Sequence, residues 1–124
     1  AVAIGDGLED LRNLARPQIA LYVGGMGARS KNFYNDIFTR SGYEAEAKTI
    51  QELYLSGDKK AAEAAIPDSY LARNSLIGPE GFVRERLQAL QESGVNALNV
   101  GLMGKTTEER VANCEKLRNL VDDL

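Results

Sequence analysis

The chain has no histidine and a single cysteine, Cys114. The first absence rules out imidazole acid–base or triad chemistry by its own side chains. Together the two absences argue against zinc and other nitrogen- or sulfur-ligated metals. A lone thiol cannot close an internal disulfide, which points to a cytoplasmic protein. No apolar run approaches the roughly 20 residues of a membrane span, so no membrane partner is expected. Residues 1–7 are too short and too uncharged for a signal peptide. Concentrated charge is missing too. The 15 basic and 18 acidic residues give a net charge of −3 and are mixed along the chain, so no basic face for nucleic acid is expected. Repeats, low-complexity tracts, a G-x-G-x-x-G fingerprint and a P-loop are all absent.

What is present is the make-up of one small globular domain: 124 residues, 44% hydrophobic and 27% charged. Ala1 to Ile4 is a short apolar run stopped by Gly5-Asp6-Gly7 and reads as the end of a buried strand. A domain that begins inside a strand suggests that residues upstream are missing. Asp6 with Glu9 can cap a helix carrying Leu8, Leu11, Leu14 and Ala15. Pro17 should bend or restart it. Ile19, Tyr22, Val23 and Met26 resume helical spacing, so we favour helix over strand there, although Ile-Ala-Leu-Tyr-Val is also a fair strand sequence.

Further helices are expected over residues 30–41, with Phe33, Ile37 and Phe38 on one face, and over 43–56, with Ala47, Ile50, Leu53 and Tyr54. Short ones follow at 59–66 and after Pro67. Residues 75–77 with Gly78-Pro79-Glu80 mark a strand end and a helix start. That helix runs to about Ser93, with Phe82, Val83, Leu87 and Leu90 as its stripe. Val95 to Leu102 (VNALNVGL) reads as a buried strand after an αβ turn at Gly94. The last helix starts near Thr106 or Thr107. It carries Val111, Cys114, Leu117, Val121 and Leu124, which places Cys114 on the packing face as a small core hydrophobe. The total is six or seven helices against two or three short strands. Parallel strands of this kind belong in sheets covered on both faces, and the chain does not obviously supply enough of them.

The chain is organised around RPQIALYVGGMGARSKNFY, residues 16–34: an apolar run, a glycine break, two cations and an Asn-Phe-Tyr cluster. Gly24, Gly25 and Gly27 can take left-handed backbone angles and bring N–H groups close to a ligand, or simply end a helix and turn. Arg29 and Lys31 can meet phosphate or carboxylate groups, or stand as solvated cations. Tyr34 can stack on a ring, or be a half-buried aromatic. Gly78 and Pro79 read as structural, though such a loop can approach phosphate.

Three pieces in this order, RPQIALYVGGMGARSKNFYN, YEAEAKTIQELYLSGDKKAAEAAIPDSYL and LIGPEGFVRERLQALQESGVNALNV, resemble the bacterial luciferase-like family. The nearest branch is that of the deazaflavin (coenzyme F-420)-dependent oxidoreductases. The third piece is similar to the family's Gly-x-Pro-Glu helix and final barrel strand. The resemblance covers nearly the whole chain and implies an α/β fold: the C-terminal part of a (β/α)8 TIM barrel, mostly helical, with two or three short strands. On this reading residues 1–124 are a C-terminal fragment of a luciferase-like domain of typically ~250 residues. It implies hydride transfer between a reduced coenzyme F-420, with FMN as second choice, and a small-molecule organic substrate.

By the same resemblance Gly24, Gly25, Gly27, Arg29, Asn32 and Tyr34 lie by the barrel mouth as cofactor-binding candidates. No catalytic residue is expected here, because most cofactor contacts come from earlier strands, and no metal ligand is expected with no histidine and one cysteine. The isolated chain is expected to be inactive and to form a homo-oligomer. The competing reading is a non-catalytic helical module that self-associates or binds a protein partner, since unpaired strand edges and apolar faces drive association.

Overall fold

The computed structural model describes all residues 1–124. In chain order its elements are β1 (Val2–Ile4), a 3-10 stretch (Glu9–Ala15), α1 (Arg16–Ala20), a π turn (Leu21–Gly25), α2 (Phe33–Arg40), α3 (Glu44–Leu55), α4 (Lys59–Ala64), α5 (Asp68–Arg73), β2 (Leu76–Gly78), α6 (Glu80–Glu92) and α7 (Thr107–Asp122). They divide between two units: residues 1–12 with 72–124, and residues 13–71.

The first unit is built on β1 and β2, which run parallel with Val2 opposite Leu76, Ala3 opposite Ile77 and Ile4 opposite Gly78. Both strands are buried throughout. Their core joins Val2, Ile4 and Leu76 to Val83 and Leu87 of α6 and Leu120 of α7. Beyond Ile77, the Arg12 guanidinium donates to the Ile77 carbonyl (Nε, 3.0 Å) and lies over the Phe82 ring at 4.7 Å. Gly78 has φ of 144°, and a Cβ there would press on both groups.

Two expectations for this unit are corrected. Residues 95–100 form no strand, and Val95 and Leu98 are exposed. Pairing with β1 is confined to one parallel bridge, Val2 with Leu102, made by Val2 N–H to the Gly101 carbonyl (2.8 Å) and Met103 N–H to the Val2 carbonyl (2.9 Å). A strand in this position has β1 on one side and nothing to pair with on the other, and an apolar run with an open edge gains little by extending.

Cys114 is exposed and not in the core. The buried side of α7 carries Asn113, Leu117 and Leu120 instead of the purely apolar set. Asn113 accepts from Ile4 N–H through Oδ1 (2.9 Å) and donates to the Met103 carbonyl (2.8 Å). Lys116 donates to the Ile4 carbonyl (2.8 Å). The end of β1 needs hydrogen-bonding partners, and that need rotates α7 away from its most apolar stripe.

The second unit is all helix. Ala20, Val23, Phe38, Ala47, Ile50, Ala62, Ile66 and Leu71 form its core. Phe38 sits among aromatic rings, 4.2 Å from Tyr70 and 5.4 Å from Tyr43 between centroids. Pro17 occupies the first turn of α1, as a restart requires. Arg16 ties α1 to the next helices, donating to the carbonyls of Glu63 (3.0 Å) and Ile66 (2.6 Å) and pairing with Asp68. Ile-Ala-Leu-Tyr-Val is helical. The α2 face differs from expectation: Phe38 is buried, but Phe33 is 70% exposed and Ile37 is also exposed.

Candidate functional site

The site is the segment from Ala20 to Asn35 in the second unit, and it starts from an irregular backbone. At Leu21–Gly25 the helix widens into a π turn, a feature frequent where helices meet functional loops. Gly24 and Gly25 lie within that turn, not beyond it. A Cβ on either would fall inside the ring or Cβ of Tyr54 on α3, so these glycines allow a close helix–helix approach. Tyr54 also lies under the Lys59 ammonium, 5.6 Å from the ring centroid. Gly27 takes φ of 151° and lies against the backbone of Lys31 and Asn32. Residues 28–31 close a tight turn through Lys31 N–H to the Ala28 carbonyl (2.9 Å).

Asn32 ends the turn and starts α2. It is 2% exposed. Its Oδ1 accepts from the N–H groups of Tyr34 (3.0 Å) and Asn35 (3.1 Å) as a helix N-cap. Its Nδ2 donates to the carbonyls of Tyr22 (3.0 Å) and Val23 (3.1 Å). Asn35 repeats the device three residues on, donating to the Val23 carbonyl (3.1 Å) and the Ala47 carbonyl (3.0 Å). Two asparagines thus sew the π turn to α2 and α3. Their i, i+3 spacing was visible in the sequence; their common target was not.

At the surface this arrangement leaves an aromatic step. Tyr34 stacks on Tyr22 with centroids 4.7 Å apart and planes at 14°, and Phe33 meets Tyr34 edge-on at 5.6 Å. Arg29 and Lys31 are exposed beside it. Of the six candidates, Arg29 and Tyr34 present groups to the outside. Gly24 and Gly25 serve the close approach to Tyr54 of α3, and Gly27 and Asn32 hold the loop itself. The segment therefore offers a cation and an exposed aromatic edge on a preformed loop, and it holds no nucleophile–base pair. No group of three His, Cys, Asp or Glu side chains is placed to hold a metal ion. Tyr22, Asn35 and Tyr54 escaped sequence reasoning because each matters through a partner distant in the chain.

Residues 1–97 match the family model described as luciferase-like monooxygenase. The chain belongs to that family. It is also similar to a Mycobacterium tuberculosis protein whose name assigns it provisionally to the coenzyme F-420-dependent oxidoreductases: 34% identical over 85 residues, covering 68% of this chain and 24% of the relative. The chain thus spans about a quarter of the length of the curated relative it matches. No solved structure matches it. No helix is long and apolar enough to cross a membrane.

Proposed function

We propose that this chain is the C-terminal part of a luciferase-like (β/α)8 barrel whose activity is hydride transfer between reduced coenzyme F-420, or FMN, and a small organic substrate. The family match over residues 1–97 carries this reading. The relative's name favours the deazaflavin. The parallel pairing of β1 with β2, followed directly by α6, is what two neighbouring strands of such a barrel and the helix after them would contribute.

The bound cofactor would supply the hydride chemistry, and the protein would orient its ring and exclude water. Within this chain Arg29 would meet a phosphate or carboxylate of the cofactor or substrate, and the exposed side of Tyr34 would lie against a ring. Gly24, Gly25, Gly27 and Asn32 would hold the loop that presents them. The isolated chain would show no turnover, because the strands that carry most cofactor contacts in such barrels are not among its elements.

A second reading is a non-catalytic helical module that self-associates or docks on a protein. One observation favours it. Leu87, Leu90, Val95, Leu98, Val121 and Leu124 line an apolar groove of about 680 Å3 in the first unit.

The test is a fluorescence titration of coenzyme F-420 and of FMN, separately, into this chain and into a chain extended upstream. Binding of one cofactor by the extended chain alone supports the barrel reading and identifies the cofactor. Binding by neither, with a rise in mass by light scattering, favours the module. In the extended protein, Tyr34→Ala with unchanged kinetic constants would remove Tyr34 from the site.

A further inference from the structure

A second groove runs between α2 and α3, and polar residues predominate among those that line it. Asn35 and Thr39 face it from α2; Glu44, Glu46, Lys48 and Gln51 face it from α3. Its volume is about 690 Å3. Gln51 is the exceptional member. It is 7% exposed, yet its Nε2 has no hydrogen-bond partner. It sits on the buried side of α3 with Ala47 and Ile50, where an apolar residue would cost nothing. The Ala47 carbonyl, one turn back on α3, already accepts from Asn35 (3.0 Å).

A buried amide donor without an acceptor is a cost that native chains rarely carry without a reason. Rotation of the terminal amide presents either its N–H2 or its carbonyl, and Nε2, closed to solvent as it stands, meets a ligand in the groove through that rotation. Lys48, one turn from Gln51, makes no ion pair, and neither does Glu44 or Glu46. Helical rise places Glu44 and Lys48 roughly 6 Å apart along α3. That is close to the ~7 Å span of two extended residues.

We propose that the α2–α3 groove binds a zwitterionic, dipeptide-sized ligand. Its carboxylate lies on Lys48 and the Gln51 amide, and its ammonium lies toward Glu44 and Glu46. A dianion meets two unpaired glutamates at one end, and a simple amine leaves Lys48 and Gln51 unanswered. The groove shares Asn35 with the Tyr34 loop, but the proposal does not rest on the hydride-transfer reading.

The test is a nitrogen–proton correlation titration of the whole chain with glycylglycine, succinate, ethylamine and the end-blocked dipeptide. Glycylglycine should shift the Gln51 side-chain amide and the Thr39 and Lys48 backbone signals saturably, and more tightly than any other probe. Gln51→Leu and Lys48→Ala should each weaken it by about tenfold, the loss expected for a hydrogen bond or ion pair to a charged group. Should Gln51→Leu fail to fold, Gln51→Glu keeps the shape and sets a negative charge against the ligand carboxylate, with the same expected loss. The proposal is overturned by no saturable shift with glycylglycine. Equal affinity for the end-blocked dipeptide, succinate or ethylamine, or unaltered binding by folded Gln51 and Lys48 variants, also overturns it.

Discussion

The two units differ in how far each closes on itself. The helical unit buries eight apolar residues in one cluster, and its helical hydrogen bonds run within each segment. The sheet unit has two three-residue strands and one further bridge. Both units leave apolar side chains exposed, Val95, Leu98 and Val121 in this one, Leu14, Met26 and Phe33 in the helical one, so the difference lies in backbone pairing. Helices can be completed locally, because their hydrogen bonds run four residues along the chain. A strand is completed only by a neighbour. The same chain therefore holds helices that pair their backbone locally and a sheet whose strands keep open edges.

If that contrast is right, damage to the helical core should cost most. Phe38→Ala should destabilise the helical unit by about 3–5 kcal/mol, read as loss of helical circular dichroism in urea. A small effect would mean that this core is looser than its burial indicates.

Gly24→Ala should cost about 1–3 kcal/mol through overpacking against Tyr54. Combining it with Tyr54→Ala should cost less than the sum of the two single changes. Strict additivity would show that the close approach is not what the glycine serves.

In the sheet unit Asn113→Ala should cost about 1–3 kcal/mol, because it leaves the Ile4 N–H and the Met103 carbonyl unpaired. A cost matching Phe38→Ala would erase the difference between the units.

Alkaline pH gives a smaller effect. Burial first, and then the nearby Tyr43, raise the Tyr70 phenol above its ordinary 10.0. The unfolded chain therefore gives up this proton before the folded one. The associated stability is complete below about pH 10 and is lost as pH rises through the raised folded value. Tyr70→Phe should flatten that part of the pH–stability curve, and an unchanged slope would contradict it.

The least effect is expected at Cys114. A thiol reagent should label it in the native chain without unfolding, and Cys114→Ser should alter stability by no more than about 0.5 kcal/mol. Labelling that requires denaturant would return Cys114 to the core.

Much of this fold was legible in order and type. The restart at Pro17, the helical reading of Ile-Ala-Leu-Tyr-Val, the strand at Leu76, the helix opening at Glu80 and the cap at Thr106 all follow from local rules. Pro fixes φ, Gly and Pro punctuate, and a threonine hydroxyl accepts from Glu109 N–H (3.2 Å). Apolarity misleads at VNALNV and on the α2 face of Phe33 and Ile37, because it says which face prefers burial but not whether a partner exists to cover it. On α7 the stripe of Val111 and Cys114 yields to Asn113 and Lys116, which pair the end of β1.

The candidate site shows the same boundary. The glycines, cations and aromatics of residues 24–34 announced an irregular loop by themselves. Their division of labour did not: Gly24 yields to Tyr54, Asn32 and Asn35 hold the π-turn carbonyls, and Tyr34 rests on Tyr22. The sequence by itself determined where helices begin and end and which family the chain resembles, because capping, turn chemistry and periodicity act over a few residues. Tertiary structure alone decided which apolar faces are covered, which glycines serve packing and which buried amide is left without a partner. Each of those depends on a contact between residues far apart in the chain.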